Sequence, residues 1–198
     1  QGKEPGERHS MIGTVLAKTR RSMTMRIPLL LLSLLLLKIC VAQGNFPSIQ
    51  GETAAGAEVS LPEAGTSKYI IIGLAYSQKA QPALEDWYEP AYLRFVAKHG
   101  LFAGAYDVDV FFVPLFTGLN KAAYEPSLRK FRKSATPEII DHVVFSKADV
   151  DPLRSQLGLD EKDIPYFFVL DRTGRILHRT KGAFSEDKLE AIEEVLMR

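Results

Sequence analysis

Between residues 68 and 76 the chain reads KYIIIGLAY, a continuous apolar run with polar residues before and after it. Its length and β-branched content predict a strand buried on both faces, as in a parallel sheet. A polar turn over 77–81 follows, and Pro82 opens a helix where a missing N–H costs nothing. Leu84, Trp87, Ala91 and Phe95 give that helix one apolar face, and Pro90 inside it predicts a kink. Lys98, His99 and Gly100 close it.

Residues 106–115 alternate and then turn wholly apolar, which predicts a second strand. A helix over 119–133 has Leu128 and Phe131 inward, with Lys121, Arg129, Lys130, Arg132 and Lys133 outward. Residues 139–145 read as a short strand or a connecting segment, and 151–157 as a short helix ending at Gly158. The last third is the plainest: a strand over 166–170, a hairpin turn over 171–174 and an antiparallel partner over 175–179. Ser185 then caps a final helix, with Glu186 and Asp187 in its first turn and Leu189, Ile192 and Leu196 on its buried face. The early strand–helix–strand unit demands parallel pairing through a right-handed crossover, and the hairpin adds antiparallel strands. The expected fold is α/β: a mixed sheet with helices on both faces.

The N-terminal part follows another pattern. Lys18, Arg20, Arg21 and Arg26 precede an almost purely apolar run over 27–37, and Cys40 and Ala42 supply small residues before Gln43. Basic flank, short apolar core and small-x-small site describe a cleavable signal peptide, with Met11, Met23 or Met25 as the start. The run falls short of the roughly 17–25 apolar residues that a bilayer span needs. An uncleaved anchor and a buried helix are the other readings of this segment. Lys38 and Ile39 before Cys40 argue against a lipidated cysteine. The expected organisation is therefore upstream residues and signal over 1–42, a loosely packed leader over 43–66 with a short strand at 59–61, and one domain over 67–198. The location it implies is periplasmic or secreted, or membrane-anchored if the segment stays uncleaved.

Cleavage would change the charge and the cysteine count. The whole chain has 25 Lys+Arg and 24 Asp+Glu, of which residues 1–42 hold seven and two. The remainder carries 18 bases against 22 acids, a net charge of −4, and gives no reason to expect nucleic acid. The chain's single cysteine, Cys40, lies before the domain.

The order of elements and the residues at their joints resemble the thioredoxin-like superfamily. Ile164-Pro165 before the strand YFFVL, the 171–174 turn, Gly182 and the Ser185 helix stand in that family's sequence. The resemblance implies a cis Ile164–Pro165 bond, a trans proline opening an edge strand being the alternative. It implies a Trp-Cys-x-x-Cys motif after the first buried strand, where this chain reads Tyr76-Ser77-Gln78-Lys79-Ala80. Ser77 and Ala80 stand in place of the two cysteines. Exchange requires a thiolate, which a hydroxyl does not replace, and a peroxiredoxin-type peroxidase requires one too. The expectation is a redox-inactive member and not an enzyme.

A narrower resemblance is to the mitochondrial assembly factors of the F-type ATP synthase, which are similar to thioredoxin-fold proteins without the redox pair. It rests on the turn and helix from Ser77 through Trp87 and Pro90, on PSLRKFRK over 126–133, and on matches scattered through 151–176. It implies an assembly or chaperone role by binding, although the signal peptide conflicts with a matrix location.

Open α/β sheets bind ligands outside the carboxyl ends of their strands. Thioredoxin-like members hold extended peptide beside the cis-proline, and pairing with backbone needs no thiol. Tyr76, Ser77, Gln78, Lys79, Ile164, Pro165 and Tyr166 are the candidate binding groove, or else aromatics that only fill the space left by the cysteines. Arg129, Lys130, Arg132 and Lys133 form a possible basic contact face, or a solvated one. His99, His142 and His178 show no metal-ligand spacing, so neither a metal nor a cofactor is expected. Ser77 lacks the glycines of a nucleophile elbow and reads as a helix cap. The leading expectation is an exported, non-redox protein that binds a protein or peptide partner. The alternatives are an enzyme of non-redox chemistry using Ser77, Lys79 or a histidine, and a structural envelope protein. Membrane contact is expected only if the signal segment remains.

Overall fold

The computed structural model describes residues 44–97 and 106–198, all within one unit, Gln43–Arg198. The expectations on the signal segment, on Cys40, and on Lys98, His99 and Gly100 lie outside the described residues. Strand β3 (Tyr69–Ala75) is parallel to β4 (Val108–Pro114) and antiparallel to β6 (Tyr166–Leu170), which pairs in turn with β7 (Ile176–Lys181). The order β4-β3-β6-β7 makes a four-stranded mixed sheet.

Side chains alternate across that sheet, as the two-residue period of a strand requires. Ile71, Phe167 and Val169 face one core with Leu84, Trp87, Leu128, Leu189 and Ile192. Ile70, Ile72, Leu74 and Phe168 face the other, with Leu153 and Leu157. Helices α1 (Gln81–Glu85), α2 (Tyr88–Phe95), α3 (Tyr124–Ser134) and α6 (Glu186–Leu196) cover the first face. Helix α5 (Val150–Leu157) covers the second and ends at Gly158 in the left-handed conformation at φ 64°. Helices on both faces of a mixed sheet are what the pattern predicted.

The leader differs from its expectation. Residues 49–61 are not loosely packed but form a hairpin of β1 (Ile49–Thr53) and β2 (Glu58–Leu61), with Ile49 opposite Leu61. Both side chains are buried in the second core, and Phe46 joins them. Strand β5 (Val144–Phe145) pairs with β1 on the other side, giving a second sheet of order β2-β1-β5. Parallel bridges from Phe112 to Val143 and from Leu115 to Ser146 connect it to β4. The segment 139–145 is thus part helix, α4 (Pro137–Ile140), and part strand.

Pro90 acts on its helix more strongly than a kink. It is the third residue of α2, has no N–H to offer, and its ring opposes the carbonyl of Asp86. The helix accordingly divides, and α1 ends at Glu85. The 119–133 helix starts as a 3₁₀ turn, Gly118–Ala123, before α3 begins. Ser185 stands at the N-cap of α6 without a side-chain cap hydrogen bond.

Candidate functional site

The turn after β3 and the loop before β6 meet, as expected from the sequence. The Ser77 hydroxyl accepts from the Ala80 amide at 3.1 Å and donates to Asp163 Oδ1 at 3.1 Å. Lys79 Nζ stands 3.5 Å from Oδ2 of the same carboxylate, with both groups exposed. Ser77 therefore caps the turn that leads into α1, whose N-cap position is Ala80.

An open aromatic groove does not result, and this corrects the expected shape of the site. Tyr76 and Tyr166 are 5% and 4% exposed. The Tyr76 hydroxyl donates to the Leu159 carbonyl at 3.2 Å. The Tyr166 hydroxyl donates to Asp160 Oδ1 at 2.8 Å and accepts from the Glu161 amide at 2.5 Å. Burial pushes the Tyr76 phenol above its ordinary range and, with Asp160 beside it, that of Tyr166 to about 12. Lys181 clamps the loop from outside, 3.2 Å from Asp160 and 2.6 Å from Glu161. The hydrogen bonds from Tyr166 and Lys181 hold the Asp160 carboxyl below its ordinary value.

Both rings are spent on tying down residues 159–161. Pro165 is buried, Ile164 is half-buried, and only Gln78 and Lys79 of the seven are exposed. The Ile164–Pro165 bond is trans, and the one cis bond among the described residues is Leu61–Pro62. Those tyrosine hydrogen bonds, rather than a cis bond at Pro165, hold the approach to β6.

The basic cluster on α3 also divides. Arg132 donates from Nε to the Ala54 carbonyl and from Nη2 to Glu52 Oε1, each at 2.6 Å, and so pins the β1–β2 hairpin. Lys130 points into a neighbouring cleft, while Arg129 and Lys133 are exposed. His142 Nδ1 lies 2.8 Å from the Val110 carbonyl, and its ring packs edge-on against Tyr92. His178 Nε2 is buried without a partner, and burial, with Arg198 nearby, lowers its pKa. Among the described residues no three His, Cys, Asp or Glu side chains are placed to hold a metal.

The cleft that receives Lys130 has a volume of about 700 Å³ and lies between α1–α2 and α3–α4. Gln81, Pro114 and Phe116 put one end of it at the carboxyl ends of β3 and β4, where open α/β sheets take ligands. Its floor is aromatic. Phe116 and Phe145 are stacked at 5.6 Å, Phe131 leans on Phe145 at 5.7 Å, and Tyr88 meets Phe131 edge-on at 6.1 Å. The Tyr88 hydroxyl has no hydrogen-bond partner among the described residues, and burial raises its pKa strongly, with the Glu85 charge adding to the effect.

The rim carries Glu85 and Glu89 from α1 and α2, Glu138 from α4, and Leu93, which is 51% exposed. Burial pushes the Glu85 carboxyl above its ordinary 4.5, against the pull of Lys130. Of these residues the sequence pattern brought forward only Lys130. The available signal was a pair of tyrosines, Tyr88 and Tyr92, four residues apart on the outer side of a helix whose other side is the core.

No family model and no curated protein matches this chain. Solved structures do. A protein assigned as the thiol:disulfide interchange protein DsbE from Chlorobium tepidum aligns with a TM-score of 0.52 and 18% identity, covering 78% of this chain and 94% of that one. The thioredoxin domain of a thiol-disulfide oxidoreductase from Bacteroides vulgatus aligns at 0.53 and 18%, covering 78% and 96%. BsSco, of the Sco family of cytochrome c oxidase assembly proteins, aligns at 0.51 and 12%, covering 78% and 92%. These likenesses show the fold. They correct the expectation that the chain is not an enzyme to this extent: the first two carry the names of thiol–disulfide proteins, so the fold gives that expectation no support. This chain's one cysteine, Cys40, lies outside the described residues.

Proposed function

We propose, from the premise that this chain has the thioredoxin-like fold with no cysteine in its described residues, that it is an exported protein that binds another polypeptide. The role is of the chaperone or assembly-factor type and uses no thiol exchange. Export rests on the basic flank and the apolar run over 27–37. Among the described residues no helix is long and apolar enough to cross a membrane.

One observation carries the binding reading. At the strand ends where this fold takes ligands, the turn at Ser77 is closed, while an open cleft beside it is lined by the half-buried rings of Tyr88, Tyr92 and Phe131 and by the half-exposed Leu93. Aromatic side chains give large contact area at small entropic cost, and an apolar cleft beside polar groups is a usual binding geometry. The cleft replaces the tyrosine-lined groove as the place where the partner is held.

The test is hydrogen–deuterium exchange of the chain with and without reduced, carboxymethylated α-lactalbumin, which is permanently unfolded. Protection confined to α2, α3 and α4, and abolished by Leu93→Arg, is the expected result. Protection at residues 77–80 instead, or none, overturns the reading. N-terminal sequencing of the chain recovered from its host tests export, with Gln43 as the expected first residue.

A further inference from the structure

We infer that the polypeptide segment held in the cleft carries a lysine or arginine next to an apolar side chain. This rests on reading the cleft as a polypeptide site and adds the chemistry of the partner.

Three carboxylates converge on the rim, Glu85, Glu89 and Glu138, against one cation, Lys130. None of the three is in an ion pair among the described residues; Lys130 acts on Glu85 only at longer range. The imbalance is local, because the other cations of α3 face elsewhere and Arg132 is already committed to Glu52. Tyr88 and Tyr92 line the same cleft, and aromatic rings are the side chains to which ammonium and guanidinium groups are drawn.

Carboxylates and aromatic rings in one cleft hold a cation twice over. The charge is met by the glutamates, and the methylene stem is covered by the rings. Leu93 and the half-buried Phe131 take the neighbouring apolar side chain. Glu85 shows the same need from the protein's side, since its carboxyl is crowded by burial and gains from a second positive charge. An acidic segment or a nucleic-acid backbone would set like charges against each other and is excluded by the same arithmetic.

The experiment is selection of a random peptide library displayed on phage against the full chain, with counter-selection on the Leu93→Arg variant. Peptides that depend on Leu93 are expected to be enriched about tenfold in Lys or Arg adjacent to Phe, Leu, Met or Trp, a preference of the size one good contact gives. Their binding weakens as salt rises. In the Glu89→Lys, Glu138→Lys double variant, whose changes lie on exposed positions, the enrichment shifts to Asp and Glu. Leu93-dependent peptides without basic enrichment, or with an enrichment that charge reversal leaves in place, overturn this inference and leave the polypeptide site standing. Absence of any Leu93-dependent peptide overturns both.

Discussion

The Ser77 hydroxyl donates to Asp163 Oδ1 across 3.1 Å, and through that bond the turn after β3 is fastened to the loop before β6. The same oxygen accepts from the Ala80 amide at 3.1 Å, so its proton and one lone pair are both engaged. Ser77 is 4% exposed. Where the thioredoxin-like resemblance puts a reactive thiolate, this chain has a side chain whose hydrogen bonds are structural. Beside that closed turn lies the cleft between α1–α2 and α3–α4.

Ser77→Ala therefore removes a donor from Asp163 and an acceptor from the Ala80 amide. Each lost hydrogen bond costs about 1 kcal/mol, and the Ala80 amide keeps its second acceptor, the Ser77 carbonyl at 3.2 Å, so a loss of about 1–2 kcal/mol is expected. Asp163→Ala should cost less alone, its carboxylate being partly exposed. Because the two residues touch, the double variant loses less than the two single losses together, with a coupling of about 1 kcal/mol. Urea unfolding of the four proteins checks this, and strict additivity would show that the two loops are joined by something else.

Two glycines test how the sheets are packed. A Cβ on Gly73 would lie 2.5 Å from Phe167 Cε1 and 3.0 Å from Leu84 Cδ1, inside the core where Trp87 stacks on Phe167 at 4.0 Å. Gly73→Ala is expected to cost about 1–3 kcal/mol by overpacking, and Phe167→Leu in the same chain to recover part of it. A Cβ on Gly51 would meet the backbone oxygen of Phe145 at 2.7 Å, which no rotamer change relieves. Gly51→Ala should thus be the more damaging, with exchange protection lost first where β5 pairs with β1. Equal thermal unfolding shifts for the two variants would contradict this.

The central β-sheet was legible because its inner strands, β3 and β6, are apolar on both faces, and runs such as 69–75 and 166–170 fit a strand buried on both sides. The β1–β2 hairpin was less so. Strand β1 reads IQGET, where only Ile49 is an evident core residue, and its partner β5 lies some ninety positions on. The pairing is dictated by burial of Ile49 and Leu61 together, a long-range fact. Tyr76 and Tyr166 were legible as neighbours but not as buried anchors, since the carbonyl at Leu159 and the carboxylate at Asp160 that hold them belong to a loop of unremarkable sequence. The cleft left the faintest trace. It is built from the sides of four helices, so its residues repeat within a helix, as 127, 130, 131 and 134 do, but no pattern joins one helix to the next, and Leu93 or Glu138 stands out only once α2 and α4 are side by side.

Acid should loosen the loops before the sheet. Burial raises the Asp171 carboxyl, but hydrogen bonds from the Thr173 hydroxyl and amide and from Arg175 outweigh it and hold the group below its ordinary 3.8. Asp160 is likewise held down by Tyr166 and Lys181. A carboxyl depressed in the folded state contributes stability that is complete above its unfolded value and is lost as pH falls through its folded one. Stability is thus expected to decline below about pH 4, near the unfolded carboxyl values. Asp171→Asn should be less stable than the parent at pH 7 and should lose less on acidification. Thermal unfolding between neutral and acidic pH measures this, and parallel curves for parent and variant would sink it.

Glu85 carries the opposite sign. Burial raises its carboxyl above the ordinary 4.5, Lys130 pulls it down, and Asp86 adds to the rise. A carboxyl raised on folding binds its proton more tightly in the folded chain, so stability falls as pH rises through the interval between the two values. Above that interval the folded protein bears the full cost of an ionised group at the edge of the cleft. Glu85→Gln removes the charge and keeps the shape. It is expected to raise the unfolding temperature at pH 7 and to leave it nearly unchanged at pH 4, where parent and variant are both largely neutral at this position. The gain is modest, because solvent still reaches the side chain. The same variant should weaken binding of a lysine-bearing peptide selected on the cleft. A residue that is worse for the fold and better for the ligand marks a site kept for use. Glu85→Gln that stabilises the chain and binds the peptide unchanged would separate the two effects and remove Glu85 from the site.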